Sequence, residues 1–75
     1  MRPAKEPALR KFGDNVQARR KAQALSQEKL AERADLDRTY ISGVERGVRN
    51  LSILSTVRIA KALKISVAKL CEGID

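Results

Sequence analysis

Apolar residues recur at helical spacing through most of this 75-residue chain, and no segment alternates as a half-buried β-strand does. This pattern predicts an all-α fold. A chain of this length forms one domain, which we expect over residues 7–75, behind a flexible N-terminal tail at residues 1–6. Five helices are predicted: Pro7 to about Gln23, Gln27 to about Ala34, Arg38 to Arg46, Ile53 to Leu63, and a short fifth helix that contains Val67 and Leu70.

Capping residues stand directly before four of these helices. Ser26, Ser52 and Ser66 each offer a hydroxyl that can accept from a backbone N–H of the first turn. Asp37 offers a carboxylate for the same purpose at the third helix. Gly47 follows that helix, where a left-handed residue can end it. The caps and the apolar spacing therefore indicate the same boundaries.

The apolar stripes predict the core. Its expected members are Leu9, Phe12, Val16 and, as a further candidate, Ala22; then Leu30, Ala31 and Ala34; Ile41 and Val44; Leu54, Val57, Ala60 and Leu63; and Val67 and Leu70. Ten residues of the chain are Ala, which removes little surface from water, so the core is thin. We therefore expect a partner, a second copy of the chain, to add stability.

Composition excludes several classes of protein. The chain has no His and a single Cys, so Cys/His zinc sites and His-dependent catalysis lack their residues. Cys71 has no partner for a disulfide within the chain, and is either a small apolar residue of the last helix or an exposed thiol. No apolar run approaches the roughly 18 residues that span a bilayer, and no signal-type stretch is present. We expect a cytoplasmic binding module that is not an enzyme and has no metal, cofactor, membrane association or small-molecule ligand.

The charge is unevenly distributed. Sixteen Lys and Arg against nine Asp and Glu give a net charge of +7, which favours a polyanion such as nucleic acid as partner. Residues 1–25 carry seven basic and two acidic side chains, whereas residues 26–50 carry five of each. The arginines of the second segment are therefore expected on one side, with Glu28, Glu32 and Asp35 facing away from it or toward a neighbour. The tail and the first helix carry the basic residues Arg2, Lys5, Arg10 and Lys11. We expect these side chains to keep the chain soluble rather than to contact DNA.

The third helix carries the functional signal. At about 100° per residue, one arc of about 140° contains Arg38, Thr39, Ser42, Gly43 and Arg46, with Ile41 and Val44 opposite and Tyr40 and Glu45 at the borders. Arginine forks and short hydroxyl side chains read base edges in the major groove. A glycine inside a helix indicates a close approach. A lone helix of this kind can simply have a solvated polar face, but the preceding short helix and the Asp35-Leu36-Asp37 turn favour a helix-turn-helix.

The segment SQEKLAERADLDRTYISGVERGVRNLSILSTVRIAKALKIS, from Ser26 to Ser66, resembles the Cro/repressor-type (XRE) helix-turn-helix domains, and the likeness extends from Phe12 to Leu70. Within that family, LDRTYISGVERGVRNLS is similar to the controller proteins of restriction–modification systems. The resemblance implies a lambda-repressor-like fold and a homodimeric transcriptional regulator that binds palindromic operators in double-stranded DNA. A controller would activate its own gene and the endonuclease gene and repress both at high concentration, with RNA polymerase as a candidate partner.

The resemblance also implies roles for individual residues. Those matched to base or groove contacts are Arg38, Thr39, Tyr40 and Ser42; those matched to phosphate or flanking contacts are Gln27, Arg46, Arg49 and Asn50. Arg20 and Glu45 match an ion pair that ties the first helix to the third. The dimer surface is expected on the last two helices, with Ile53, Leu54, Ile65, Val67 and Ile74 as candidates, and the sequence leaves open which of these belong to the core instead.

This chain departs from the family pattern at four positions. Ala24, Asp35 and Lys64 replace common glycines, and Asp tolerates the left-handed conformation that the turn needs. Gly43 leaves no base-reading side chain where some members have one, so more of the recognition falls to DNA shape. Two alternatives stay open: a phage-type repressor or antitoxin of the same fold, and a protein-interaction adaptor without specific DNA binding.

Overall fold

The computed structural model describes residues 6–74. Within that range the chain is all-α, which confirms the predicted fold class. It contains α1 (Pro7–Ala22), α2 (Gln27–Ala34), α3 (Arg38–Glu45), α4 (Ile53–Ala62) and α5 (Val67–Leu70). Three helices end one residue before the predicted boundary, because Gln23, Arg46 and Leu63 are C-caps. Most of the expected tail, with Arg2 and Lys5, lies outside the described residues, and Glu6 is the N-cap of α1.

One core joins the helices. The helix predicted to read DNA is α3, which packs against both α1 and α2. In addition, α2 packs on α4, and α5 contacts α4 and α1. The largest fully buried side chains are Val16, Leu30, Ile41, Val44, Ile59, Leu63 and Leu70. Burial of Ile41 and Val44 confirms the predicted inner face of α3.

The predicted apolar stripes include three residues that the structure leaves exposed. Ala22 is exposed at the end of α1, and Leu25 packs against the core just beyond it. On α4 the buried face is centred on Ile59 and Leu63, so Leu54 in the first turn stays exposed. Val67 is also exposed, at the start of α5. The predicted α4 stripe is buried at Ala60 and Leu63 but not at Leu54, and it omits the fully buried Ile59.

Serine caps set the starts of three helices. The hydroxyls of Ser26, Ser52 and Ser66 each accept a hydrogen bond from the backbone N–H three residues later, at 3.0 Å. The Asp37 cap is wrong in its chemistry. Asp37 stands at the N-cap position of α3, but its side chain accepts from no backbone N–H and takes the Thr39 hydroxyl proton instead.

Left-handed residues close the helix ends. Gly47 has φ of 75°, as predicted. Ala24, Asp35 and Lys64 have φ of 57°, 58° and 60°. These three residues therefore hold a conformation that favours glycine at a steric cost, which is smallest for Asp.

Side-chain amides of α1 and of its C-cap residue donate hydrogen bonds at the C-terminal ends of α4 and α5. The Asn15 amide donates to the carbonyl oxygens of Leu70 (2.8 Å) and Glu72 (2.9 Å), and the Gln23 amide donates to that of Leu63 (2.7 Å). These carbonyls lie at helix C-termini, where no intrahelical donor is available. The first helix thus fixes the last two. Among residues 6–74, no helix is long and apolar enough to cross a membrane.

Candidate nucleic-acid interface

The C-terminal end of α3 is anchored by a buried ion pair. The structure brings Arg20 and Glu45 together, with Arg20 Nε 2.6 Å from Glu45 Oε2 and Arg20 Nη2 3.0 Å from Oε1. The Glu45 side chain is only 2% exposed. The third guanidinium nitrogen, Nη1, donates to the carbonyl oxygen of Leu25 at 2.8 Å. One guanidinium therefore connects α1, the α1–α2 turn and α3.

Two glutamine side chains donate further hydrogen bonds to the Glu45 carboxylate. The Gln27 amide donates to Glu45 Oε1 at 3.0 Å, and the Gln17 amide donates to the same oxygen at 3.4 Å. Gln27 is the first residue of α2 and was predicted to contact a DNA phosphate. An amide nitrogen carries two protons, so one N–H remains for a phosphate after the bond to Glu45 is made. The start of α2 is thereby coupled to the end of α3.

The ion pair keeps its charge. The hydrogen bonds to Glu45 raise the pKa of Arg20 above its already high value, and the attraction of the carboxylate acts in the same direction against desolvation. The guanidinium is therefore positively charged throughout the physiological pH range. Removing either partner would leave the other charge buried without compensation.

The first turn of α3 is open to solvent on the side that faces away from the core. Arg38 and Thr39 are exposed, and Tyr40 and Ser42 are half-buried. Arg46, Arg49 and Asn50 are exposed after the helix, and Gln27 is half-buried. The residues predicted to contact DNA thus lie along α3, on the loop behind it and at the start of α2.

Gly43 corrects one part of the helical-wheel interpretation. It was placed on the open polar arc, but the structure buries it. A Cβ built there would lie 3.4 Å from Arg49 Cβ and 3.7 Å from Arg49 Nε. The Arg49 guanidinium continues over the Tyr40 ring, 4.8 Å from its centroid. The close approach at Gly43 is therefore made by the chain itself, which lays Arg49 along the recognition helix.

Charges are partly sorted around α3. Glu45 is neutralised from behind by Arg20, so three exposed arginines outweigh Asp37 on and just after the helix. Glu28 and Glu32, however, line the same groove as Asp37 and Arg38, a cavity of about 450 Å³ between α2 and the start of α3. Glu28 and Glu32 therefore share a groove with Arg38 and do not lie on a separate face of the molecule.

The dimer candidates fall into two groups. Ile53, Leu54 and Val67 are exposed, the first by 82% of its surface, whereas Ile65 and Ile74 are half-buried against the core. A largely apolar groove of about 290 Å³ is lined by Ile53, Val67 and Ile74, with Leu9, Phe12 and Leu51. Cys71 is half-buried, packs on the core and lines the same groove.

Sequence reasoning missed the glutamine shell and the Arg49 contact. Gln17 lies three residues before Arg20 on α1, so it shares the face of Arg20, and this spacing was available as a signal. The contact between Arg49 and Tyr40 depends on how the chain folds back after Gly47, which residue spacing does not reveal.

Known proteins share this fold and much of this sequence. The helix-turn-helix family model (HTH_3) matches residues 16–70. The control protein C.SmaI of Serratia marcescens is 49% identical over 59 residues, which cover 79% of this chain and 70% of that protein. The restriction-modification controller protein C.AhdI from Aeromonas hydrophila matches with a TM-score of 0.81 at 47% identity, over 83% of this chain and 94% of that one. The controller protein C.Esp1396I, solved as a tetramer with its natural 35 base-pair operator, matches with a TM-score of 0.84 at 38% identity, over 93% of this chain and 92% of that one.

Proposed function

This chain belongs to the helix-turn-helix family and, within it, to the controller proteins of restriction–modification systems, and on that basis we propose that it regulates transcription by sequence-specific DNA binding as a homodimer. The family consists of DNA-binding regulators and is not a family of enzymes. The relatives favour a controller over the phage repressor and the antitoxin that share the fold.

The observation that carries the proposal is the construction of α3. Its inner face is buried, its last residue is held by Arg20, and its first turn presents Arg38 and Thr39 to solvent. A helix held in this way can enter a major groove without rearranging, and the arginine fork at its start suits the O6 and N7 acceptors of guanine. Arg46, Arg49, Asn50 and Gln27 then lie beside it as candidate backbone contacts, which fix register rather than sequence.

Selection of bound sites from random duplexes tests this reading. The wild type is expected to enrich a palindrome whose half-sites are about one helical turn apart. Arg38→Ala should make one base per half-site indifferent, a loss of about 1–3 kcal/mol of discrimination. Arg33→Ala is the matched control, because Arg33 is an exposed arginine of α2 outside the candidate contact set. If both variants lost base discrimination equally, Arg38 would act only through its charge. That result would favour an adaptor without specific DNA binding.

The homodimer is proposed to form through the exposed residues of α4 and α5. One recognition helix reads only a few base pairs, so two copies on a palindrome double the contacts. Ile53→Asp should shift the chain to monomer in sedimentation at micromolar concentration while leaving the helical content unchanged, since Ile53 is 82% exposed. Val48→Asp is the control, because Val48 is an exposed aliphatic residue that does not line the apolar groove. A wild type that stays monomeric with and without DNA would contradict the dimer.

Regulation is proposed to depend on concentration. C.Esp1396I forms a tetramer on its operator, and by analogy two dimers of this chain would bind tandem palindromes cooperatively. The first dimer would activate the controller and endonuclease genes in the bacterial cytoplasm, with RNA polymerase as the contacted partner, and the second would repress them. Transcription with purified polymerase, titrated with this chain, should rise and then fall. A monotonic response would contradict the two-step scheme.

A further inference from the structure

Asp37 uses its carboxylate in an unusual way for a residue at a helix start. Asp37 stands at the N-cap of α3, but its carboxylate accepts from the Thr39 hydroxyl and from no backbone N–H. The backbone that carries the two exposed side chains is held at the helix start, since the Asp37 carbonyl oxygen accepts from the backbone N–H groups of Tyr40 (3.0 Å) and Ile41 (3.2 Å). A hydrogen bond thus joins a candidate base-reading residue to one outside the contact set.

This bond determines what Thr39 can offer to DNA. A threonine hydroxyl has one proton to donate and two lone pairs with which to accept. An ionised carboxylate only accepts, so the proton between the two residues belongs to Thr39 and is directed at Asp37. The Thr39 oxygen therefore presents lone pairs to the groove and has no free proton.

The major groove distinguishes these two states of a hydroxyl. Adenine and cytosine present amino groups there, N6 and N4, which donate hydrogen bonds. Guanine and thymine present O6 and O4, which accept. An oxygen without a free proton pairs with the first two bases and is repelled by the carbonyl oxygens of the others.

We propose that Asp37 is a specificity-determining positioning residue, which by holding the hydroxyl proton of Thr39 makes Thr39 select adenine or cytosine over guanine or thymine at one position of each half-site. The inference rests on the proposed DNA-binding function and deepens it. Asp37 itself touches no base in this scheme and acts through Thr39.

Site selection with three variants tests the proposal. Thr39→Val removes the hydroxyl and identifies the position that Thr39 reads, where the wild type is expected to enrich A or C. Asp37→Ala frees the proton, so the preference for A or C at that position should fall about fivefold, as the hydroxyl becomes able to donate to G or T. In the double variant, Asp37→Ala should have no further effect at that position, because the hydroxyl through which it acts is gone.

Removal of a negative charge beside DNA also strengthens binding to every sequence, and this effect needs its own control. Asp35→Asn removes the same charge two residues earlier from an exposed side chain, and Asn tolerates the left-handed backbone at that position. It should raise affinity for all duplexes and leave the preference at the Thr39 position unchanged. Asp37→Ala should show both effects.

Three results would overturn the proposal: an unchanged preference at the Thr39 position in Asp37→Ala, an equal change there in Asp35→Asn, or a wild-type preference for G or T at that position. In each of these the wild type still selects a sequence, so the DNA-binding function stands. A wild type that enriches no sequence would instead overturn the function itself.

Discussion

The two ends of α3 are built on opposite principles. At the C-terminal end, the Glu45 carboxylate accepts hydrogen bonds from Arg20, Gln17 and Gln27 and is almost completely buried. At the N-terminal end, Arg38 and Thr39 are exposed and no side chain caps the backbone. The buried contacts are therefore concentrated at one end of the helix and the proposed base-reading side chains at the other, so that the latter can differ without loss of the fold.

The strongest way to break this comparison is to remove the charge at the buried end. Glu45→Gln keeps the shape of the side chain but leaves the Arg20 guanidinium buried without a counter-charge. The free energy of unfolding should fall by about 3–5 kcal/mol in denaturant titration. Glu28→Gln, at an exposed glutamate of α2, should change it by no more than about 0.5 kcal/mol. Similar losses in the two variants would mean that the buried pair does not anchor α3.

A second variant tests Gln27, which contacts the buried anchor and is also a candidate phosphate contact. Gln27→Ala removes the amide that donates to Glu45 Oε1 at 3.0 Å, and we expect a loss of about 1–2 kcal/mol in the free energy of unfolding. It should also weaken binding to all duplexes alike, because a phosphate contact carries no sequence information. Gln17→Ala is the matched control: its bond to the same oxygen is longer, at 3.4 Å, and it should cost less stability and leave DNA affinity unchanged.

The boundaries of the helices could be predicted from the sequence better than the contacts between them. Serine caps and apolar spacing placed every helix within one residue, because both signals are local. The exposure of Leu54 in the first turn of α4, the burial of Gly43 and the path of Arg49 over Tyr40 depend on contacts between distant segments, which spacing does not encode. The left-handed residues show the same division. A turn was evident at Asp35 from its own residues, whereas at Ala24 and Lys64 only the resemblance to a family with glycines at these positions pointed to the left-handed conformation that both adopt.

The two capping positions of the helix-turn-helix give a third test. Ser26→Ala removes a side chain that accepts from the backbone N–H of Lys29 and should cost about 1 kcal/mol of unfolding free energy. Asp37→Ala removes no such bond, and only its favourable charge at the helix N-terminus is lost, so we expect about 0.5 kcal/mol or less. Thermal and denaturant unfolding of the two variants measure the difference. A larger loss for Asp37→Ala would show that the start of α3 is stabilised in the same way as that of α2.

The smallest expected effect is the most informative about recognition. Arg38→Ala should change the free energy of unfolding by no more than about 0.5 kcal/mol, because the side chain is exposed and forms no ion pair among the described residues. The same variant is expected to lose most of its preference for one base. Stability and site preference measured on one preparation would therefore separate, whereas Glu45→Gln should lower stability and overall binding and leave the preferred base unchanged. If Arg38→Ala destabilised the fold, the open end of α3 would also be part of its support, and the division between the two ends would fail.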